Sequence, residues 1–96
     1  MIYEWNPRKA RTNRRDHRVA FEESATVFRD PQAVTYPDPD HSDDEDREIP
    51  IGYSLRQRLL FVSHCQRGER TRIIGARQAT RRERKQHDED TGKKKR

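Results

Sequence analysis

Cysteine is nearly absent from this chain: Cys65 stands alone. One thiol excludes an internal disulfide and any zinc site built from several cysteines. Apolar residues are also scarce, at 28% of 96 residues, against ~45–50% in an average globular domain with glycine counted. A chain this short forms one domain. With so few apolar side chains its core must be thin, and a domain of this size is only marginally stable alone. A permanent partner that binds the native state would raise that stability by mass action. No run approaches the ~18 apolar residues of a membrane helix, and the first residues do not read as a signal peptide. The expectation is a soluble, cytoplasmic protein with no membrane partner.

Charge is what the chain has in quantity. Charged residues make up 41% of it, with a net charge of +5. Such a composition permits disorder, yet residues 19–28, 49–65 and 71–76 carry clear apolar patterns and are expected to fold. A net positive chain calls for an anionic partner. Asp38, Asp40, Asp43, Asp44, Glu45, Asp46 and Glu48 form an acidic block interrupted by Arg47 alone. Beyond it come Arg56, Arg58, Arg67, Arg70, Arg72, Arg77, Arg81, Arg82, Arg84 and Lys85, against the acids Glu69 and Glu83. The second half is therefore a polycation dominated by arginine, whose planar fork fits phosphates and base edges and stacks on bases.

The pattern predicts the order β-α-α-β-β-β-β-α. Residues 2–5 alternate and include two aromatics, as a short strand would. Asn6-Pro7 reads as a helix start, with Asn as cap and Pro at the first helical position. The polar helix over 8–17 sets Ala10, Asn13 and His17 along one side. A second helix over 19–28 places Phe21, Ala25 and Phe28 on one face, and Asp30-Pro31 ends it. Strands are expected at 33–36, at 49–53 (edge-like, because of Pro50), at 59–65 and at 71–77, with a turn at Arg67-Gly68-Glu69. Thr80-Arg81-Arg82-Glu83 is a capping box and opens a short last helix. The fold class is α+β: a small antiparallel sheet with two N-terminal helices and a short C-terminal helix, the helices packed on one side of the sheet. One domain is expected over residues 1–87, with a charged, flexible tail over 88–96.

These pieces, taken in order, resemble the BrnT family of type II toxins. The likeness is carried by Tyr3-Glu4-Trp5-Asn6-Pro7 with Lys9, Ala10, Asn13 and His17, and by Phe21-Glu22-Glu23 with Ala25-Thr26-Val27-Phe28 and Asp30-Pro31. It continues through Asp38-Pro39-Asp40-His41-Ser42, Ile51-Gly52-Tyr53-Ser54, Arg58-Leu59-Leu60 and Arg67-Gly68. It ends on Arg72-Ile73-Ile74, Ala76-Arg77 and Ala79-Thr80-Arg81-Arg82-Glu83-Arg84. The chain departs from the family pattern at Asp16, where lysine is common, and at Arg18 and Gly75, where glycine and serine are usual. It departs again at His87, where a tyrosine often sits. The resemblance implies a RelE-like fold and a metal-independent endoribonuclease, without cofactor, that cuts RNA and arrests translation. It also implies a BrnA-like antitoxin with a ribbon-helix-helix domain. Operator DNA would be bound only through that antitoxin, in a hetero-oligomer for which two toxins with two antitoxins is one stoichiometry.

A metal-independent ribonuclease uses the RNA's own 2′-hydroxyl as nucleophile. It needs a proton acceptor, positive charge at the phosphorane-like transition state and a proton donor for the leaving oxygen. Arg58, Arg77 and Arg81 are the candidates for the charge, and His87 for the acid or base that a tyrosine would supply elsewhere. Arg77 alternates with Ile73 and Gly75 and is expected to share their strand face. Lys9, His17, Arg72, Arg82 and Arg84 are the candidates for RNA binding. Each reading has a plainer rival. A single arginine can be a solvated surface charge, Asn13 and His17 can pack on the sheet, His87 can be a surface histidine, and Glu83 can serve its helix cap. His64 alternates with Leu60 and Val62 and reads as half-buried. His41 among aspartates invites a metal guess, but the loop lacks an EF-hand's glycine and final glutamate, so no metal site is assigned. The rival function is a non-catalytic nucleic-acid-binding or repressor-complex module, which the same arginines would serve through phosphate contacts. The acidic loop and thin sheet edge would suit an interaction protein, a role compatible with the first.

Overall fold

The computed structural model describes residues 1–38 and 48–92. Most of the acidic loop, with His41, and the last four residues lie outside them.

Asn6 caps α1 (Pro7–His17): its Oδ1 accepts from the backbone N–H groups of Arg8 at 2.8 Å and Lys9 at 3.2 Å. Pro7 fills the first helical position, where a missing N–H goes unnoticed. The helix stops at Arg18, whose φ of 58° is the left-handed conformation that glycine adopts without strain. The helix expected over 19–28 is α2 (Phe21–Ala25) continued by a 3-10 turn (Thr26–Arg29). Thr26 Oγ1 donates to the Glu23 carbonyl at 2.7 Å where the winding tightens.

Among the described residues the strands are β1 (Ile2–Glu4), β2 (Val34–Pro37), β3 (Glu48–Tyr53), β4 (Leu59–Arg67) and β5 (Arg70–Gln78). They lie in the order β1-β5-β4-β3-β2. Neighbours from β2 to β5 are antiparallel, but β1 runs parallel to β5, with Ile2 opposite Arg70 and Glu4 opposite Arg72. The sheet is therefore mixed rather than wholly antiparallel. Short turns force antiparallel neighbours, and no turn links β1 to β5. Pro50 sits in an interior strand, against the edge-like expectation. It is opposite Thr35 of β2, and the ladder with β4 begins only at Ile51, opposite Phe61. The missing N–H thus falls on a stretch of β3 paired on one side.

The β4–β5 hairpin turns at Gly68, φ 60°. Its ladder slips once: Ser63 is opposite Gly75 and His64 is opposite Ile73, so Ile74 is an extra residue. Side chains alternate with a period of two, and one extra residue moves everything beyond it to the other face. The expectation that Ile73, Gly75 and Arg77 point together fails for this reason. Ile73 joins the core under α1 and α2, while Arg77 lies on the opposite face over Phe61.

Alternation along β4 feeds two apolar clusters. Leu60 and Val62 pack with Val19, Phe21, Val27, Ile73 and Ala76 beneath α1 and α2. Leu59 and Phe61 pack with Ile49 and Ile51 on the other face. The last helix, α3 (Arg81–Asp90), lies against this second face. The Tyr36 hydroxyl donates to Asp90 Oδ2 at 2.6 Å, and the Tyr53 ring meets His87 edge-on at 5.8 Å. Helices thus flank the sheet on both faces rather than one, because the second face carries an apolar row of its own. α3 runs three residues beyond the boundary expected at 87. Among the described residues no helix is long and apolar enough to cross a membrane.

Candidate functional site

The end of β5 and the start of α3 bring a cation, an aromatic ring and a carboxylate together. Arg77 is opposite Phe61 in the ladder, and its guanidinium carbon lies 3.9 Å from the centre of that ring. A cation over an aromatic face gains on the order of 0.5–2 kcal/mol, depending on exposure. Both terminal nitrogens of Arg77 donate to Glu83, Nη1 to Oε1 at 2.8 Å and Nη2 to Oε2 at 3.0 Å. Glu83 also completes the capping box predicted from the sequence. Its Oε1 accepts from the Thr80 N–H at 2.8 Å, and its own N–H donates to Thr80 Oγ1 at 3.1 Å. So the glutamate that starts α3 also fixes the direction of Arg77. The hydrogen bonds from Arg77, helped by those from Thr80, hold the Glu83 carboxyl below the usual carboxylate range.

These residues wall a groove of ≈ 400 Å³ between α3 and the sheet. Ile49, Ile51 and Phe61 form its apolar part; Tyr36, Pro37 and Asp38 close one side, and Arg77, Arg82, Glu83 and Gln86 line the other. Burial, and then the bond to Asp90, push the Tyr36 hydroxyl up to about 12. At neutral pH the groove therefore holds an ionised carboxylate in Glu83 and a protonated phenol in Tyr36. Arg81, Arg82 and Arg84 are exposed on α3. Sequence reasoning named Arg77, Arg81 and Arg82, and the fold brings them to one end of the molecule. It missed Phe61, Tyr36 and the second task of Glu83. The alternation of β4 does put Phe61 on the face away from Leu60, which was the available signal.

Arg58 is elsewhere. It turns to the α2 side of the sheet and closes an ion pair with Glu23: Nε donates to Oε2 at 2.9 Å and Nη2 to Oε1 at short range. Nη2 also donates to the Arg18 carbonyl at 3.0 Å, and Ser54 Oγ donates to Glu23 Oε2 at 2.6 Å. Only 22% of the Arg58 side chain is exposed. Arg58 and Arg77 thus lie on opposite faces, and the structure does not assemble them into one site.

His87 is fully buried, at 0% exposure. Its Nε2 lies 2.9 Å from the Gln32 carbonyl and its Nδ1 is buried without a partner. In this conformation a substrate cannot touch either ring nitrogen. Arg72 reaches across to Glu4, Nη1 to Oε2 at 3.1 Å, and Arg70 meets the other oxygen at 3.3 Å. The two arginines hold the Glu4 carboxyl below its usual range and tie β1 to β5. Lys9 and His17 are exposed and line a separate recess of ≈ 310 Å³ with Arg8, Thr12, Asn13, Asp16 and Ile74. They share a face of α1, as their spacing predicts, while Asn13 between them is buried. α1 is also more basic than the sequence reading weighed: Arg8, Lys9, Arg11, Arg14, Arg15 and Arg18 face one acid, Asp16, in the same stretch. His64 is half-buried, as its alternation suggested, with its ring edge-on to Phe28 at 4.9 Å. Burial pushes its pKa down. Among the described residues no group of three or more His, Cys, Asp or Glu side chains is placed to hold a metal ion.

Comparison with known proteins places the chain rather than its site. Similarity to a crystal structure of the Brucella abortus ribonuclease toxin BrnT covers 84% of this chain and 100% of that one, with a TM-score of 0.65 and 21% sequence identity. At that identity the likeness establishes the fold. No curated protein matches the chain. A protein-family profile described as "Ribonuclease toxin, BrnT, of type II toxin-antitoxin system" matches residues 5–83. That span holds every strand from β2 to β5, both N-terminal helices and the Arg77–Glu83 pair, so the chain belongs to the BrnT family of ribonuclease toxins of type II toxin-antitoxin systems.

Proposed function

We propose that the chain is a metal-independent endoribonuclease that cuts mRNA, so arresting translation, and that its active surface is the groove between α3 and the sheet. The observation that carries this reading is the fixed Arg77–Glu83 pair in a groove whose rim carries Arg82, with Arg81 exposed beside it. RNA would place its backbone along those arginines. The 2′-hydroxyl oxygen attacks the adjacent phosphorus as its proton passes to an acceptor, and the 5′-oxygen leaves with a proton from a donor. The products are a 2′,3′-cyclic phosphate and a 5′-hydroxyl end. The groove offers Glu83, ionised, and Tyr36, whose proton lies on its bond to Asp90; their shifts leave the one a weak base and the other a weak acid, so the cleavage proposed here rests mainly on positive charge. Exposed guanidinium groups supply positive charge to the transition state.

In this reading a BrnA-like ribbon-helix-helix antitoxin neutralises the toxin and carries the complex to operator DNA. An antitoxin also suits a chain whose core is thin. The test is to incubate the purified chain, with chelator present, with naked RNA and with translating ribosomes, and to map the new ends. Cyclic-phosphate ends in either sample support the reading. Intact RNA in both overturns it, and retardation of RNA without cutting would assign the chain to the non-catalytic class.

A further inference from the structure

Resting on the ribonuclease reading, we infer that Arg77 and Phe61 form a stacking platform for one nucleobase of the RNA strand, rather than a clamp on a phosphate. An arginine grips phosphate with the paired N–H groups at the end of its fork. In Arg77 those groups are engaged. Nη1 and Nη2 each meet an oxygen of Glu83, and Nη1 also approaches the Gln78 carbonyl at 3.3 Å. The end-on pair is therefore taken, which leaves Arg77 its side edge, Nε–H with the second Nη2–H, and the plane of the guanidinium. The guanidinium carbon lies over the Phe61 ring, 3.9 Å from its centre, and 34% of the Arg77 side chain stays exposed in the groove. Glu83 fixes the plane from its edge, and the capping box fixes Glu83. A flat cation held rigid from edge and from below is poised to stack, because every base presents a π-face and stacking on arginine needs no particular sequence.

The rest of the groove fits the same occupant. Ile49 and Ile51 form an apolar wall for a ring, and the amide of Gln86 and the hydroxyl of Tyr36 offer polar edges. The strand's negative charge meets Arg82 on the rim and Arg81 beside it, both exposed. Labour is divided: Arg81 and Arg82 take the backbone, and Arg77 takes a base.

The test uses the full chain and an uncleavable 2′-O-methyl RNA oligonucleotide carrying 2-aminopurine at one position, moved along the strand. Pyrrolo-cytosine is used in its place for a platform that favours pyrimidines. Both probes lose fluorescence when stacked. The wild-type chain should quench the probe at one position. Arg77→Lys keeps the charge but loses the plane and the fork; it should abolish the quenching at saturation and weaken binding by about 10-fold. Phe61→Leu removes the ring beneath and should do the same, which keeps the test open if either variant fails to fold. Arg82→Gln should weaken binding yet quench fully once saturated. Full quenching by saturated Arg77→Lys or Phe61→Leu overturns the platform, and a salt slope that falls with Arg77→Gln but not with Arg77→Lys then assigns a phosphate contact. Because the strand cannot be cut, the two readings fail separately. Quenching by a chain that leaves ordinary RNA intact supports the platform and removes the ribonuclease. Cleavage without quenching removes the platform alone.

Discussion

Asn13 pairs with Ala76 as a neighbouring strand would. Its Nδ2 donates to the Ala76 carbonyl at 2.9 Å and its Oδ1 accepts from the Ala76 N–H at 3.1 Å. The second hydrogen of Nδ2 goes to the Val19 carbonyl at 2.9 Å. β1 accompanies β5 only as far as Arg72. Beyond that point no strand among the described residues lies beside this edge of β5, and α1 supplies one amide in its stead. Asn13→Ala leaves three backbone groups without these bonds. At about 1–3 kcal/mol for each buried group left unsatisfied, with water reaching some of them, the expected loss is about 3 kcal/mol in urea unfolding. Asn13→Asp should lose at least as much, since a carboxylate donates nothing to the two carbonyls. A loss for Asn13→Ala within the ~0.5 kcal/mol scatter of surface substitutions would show that the amide is not what holds α1 to the sheet.

The Glu23–Arg58 pair sets a pH dependence whose sign follows from the direction of the shift. Hydrogen bonds from Arg58, and then from Ser54, hold the Glu23 carboxyl below its usual range. The unfolded chain binds that proton more tightly, near ~4.3 for a free glutamate. The stability is therefore present above ~4.3 and lost as pH falls through the lower folded value. Glu4 and Glu83, also lowered, act in the same sense. His64 contributes earlier. Burial keeps it neutral when folded, so below ~6.5 the unfolded state gains a proton that the folded state resists. Urea midpoints should hold level at and above about pH 7.5, fall slightly by about 5.5 and steeply by about 4. His64→Phe should remove the first decline. Glu23→Gln should cost about 2 kcal/mol at neutral pH, because Arg58 keeps a buried charge with a weaker partner, and should flatten the second. Arg58→Lys should lower stability, with RNA cleavage falling only as the folded fraction falls. A large loss of cleavage in fully folded Arg58→Lys would return Arg58 to the active site.

Arg81 and Arg82 stand exposed beside the groove. If they take the RNA backbone, each releases about one condensed counterion from the strand. Arg81→Gln and Arg82→Gln should each lower the slope of log affinity against log salt by about 0.7 for a single strand, with the same loss for every sequence. Unchanged slopes in both variants would place the backbone elsewhere, and the basic face of α1 would be the next surface to test.

Local signals in the sequence placed the elements well, and contacts between distant residues placed them less well. The Asn6-Pro7 start and the Thr80–Glu83 capping box are written in four residues or fewer, and the structure forms both as read. The hairpin from Leu59 onward was legible because its strands alternate and a glycine marks the turn. What alternation could not show was the extra residue at Ile74, since a bulge leaves no mark on an apolar run; that one position reversed the expected direction of Arg77 relative to Ile73. The charge of Arg58 was plain, but its partner Glu23 lies 35 residues away, and no spacing rule connects them. His87 stood in a charged helix and read as exposed or catalytic. Its burial depends on Gln32 and Tyr53, which come from two other segments. Arg18 shows the reverse case. It occupies a left-handed helix cap, which only the backbone angles reveal.

His87 tests whether a buried ring supports the site or takes part in it. A carbonyl only accepts hydrogen bonds, so Nε2 is the protonated nitrogen in its contact with Gln32, 2.9 Å away. The ring packs edge-on against Tyr53 and fills the space between α3 and the segment that links the 3-10 turn to β2. Removing it should loosen α3, and with α3 the hold of Glu83 on Arg77. His87→Ala is expected to cost about 3 kcal/mol, the range of a large buried side chain cut back to alanine. His87→Gln keeps a donor within reach of the Gln32 carbonyl and should cost about half as much, because the bond survives while part of the packing is lost. A supporting role predicts that cleavage by His87→Gln, measured where it is fully folded, keeps every inflection of the wild-type pH–rate profile. The disappearance of one inflection, at unchanged folded fraction, would mean that the ring leaves its pocket during the reaction and carries a proton itself.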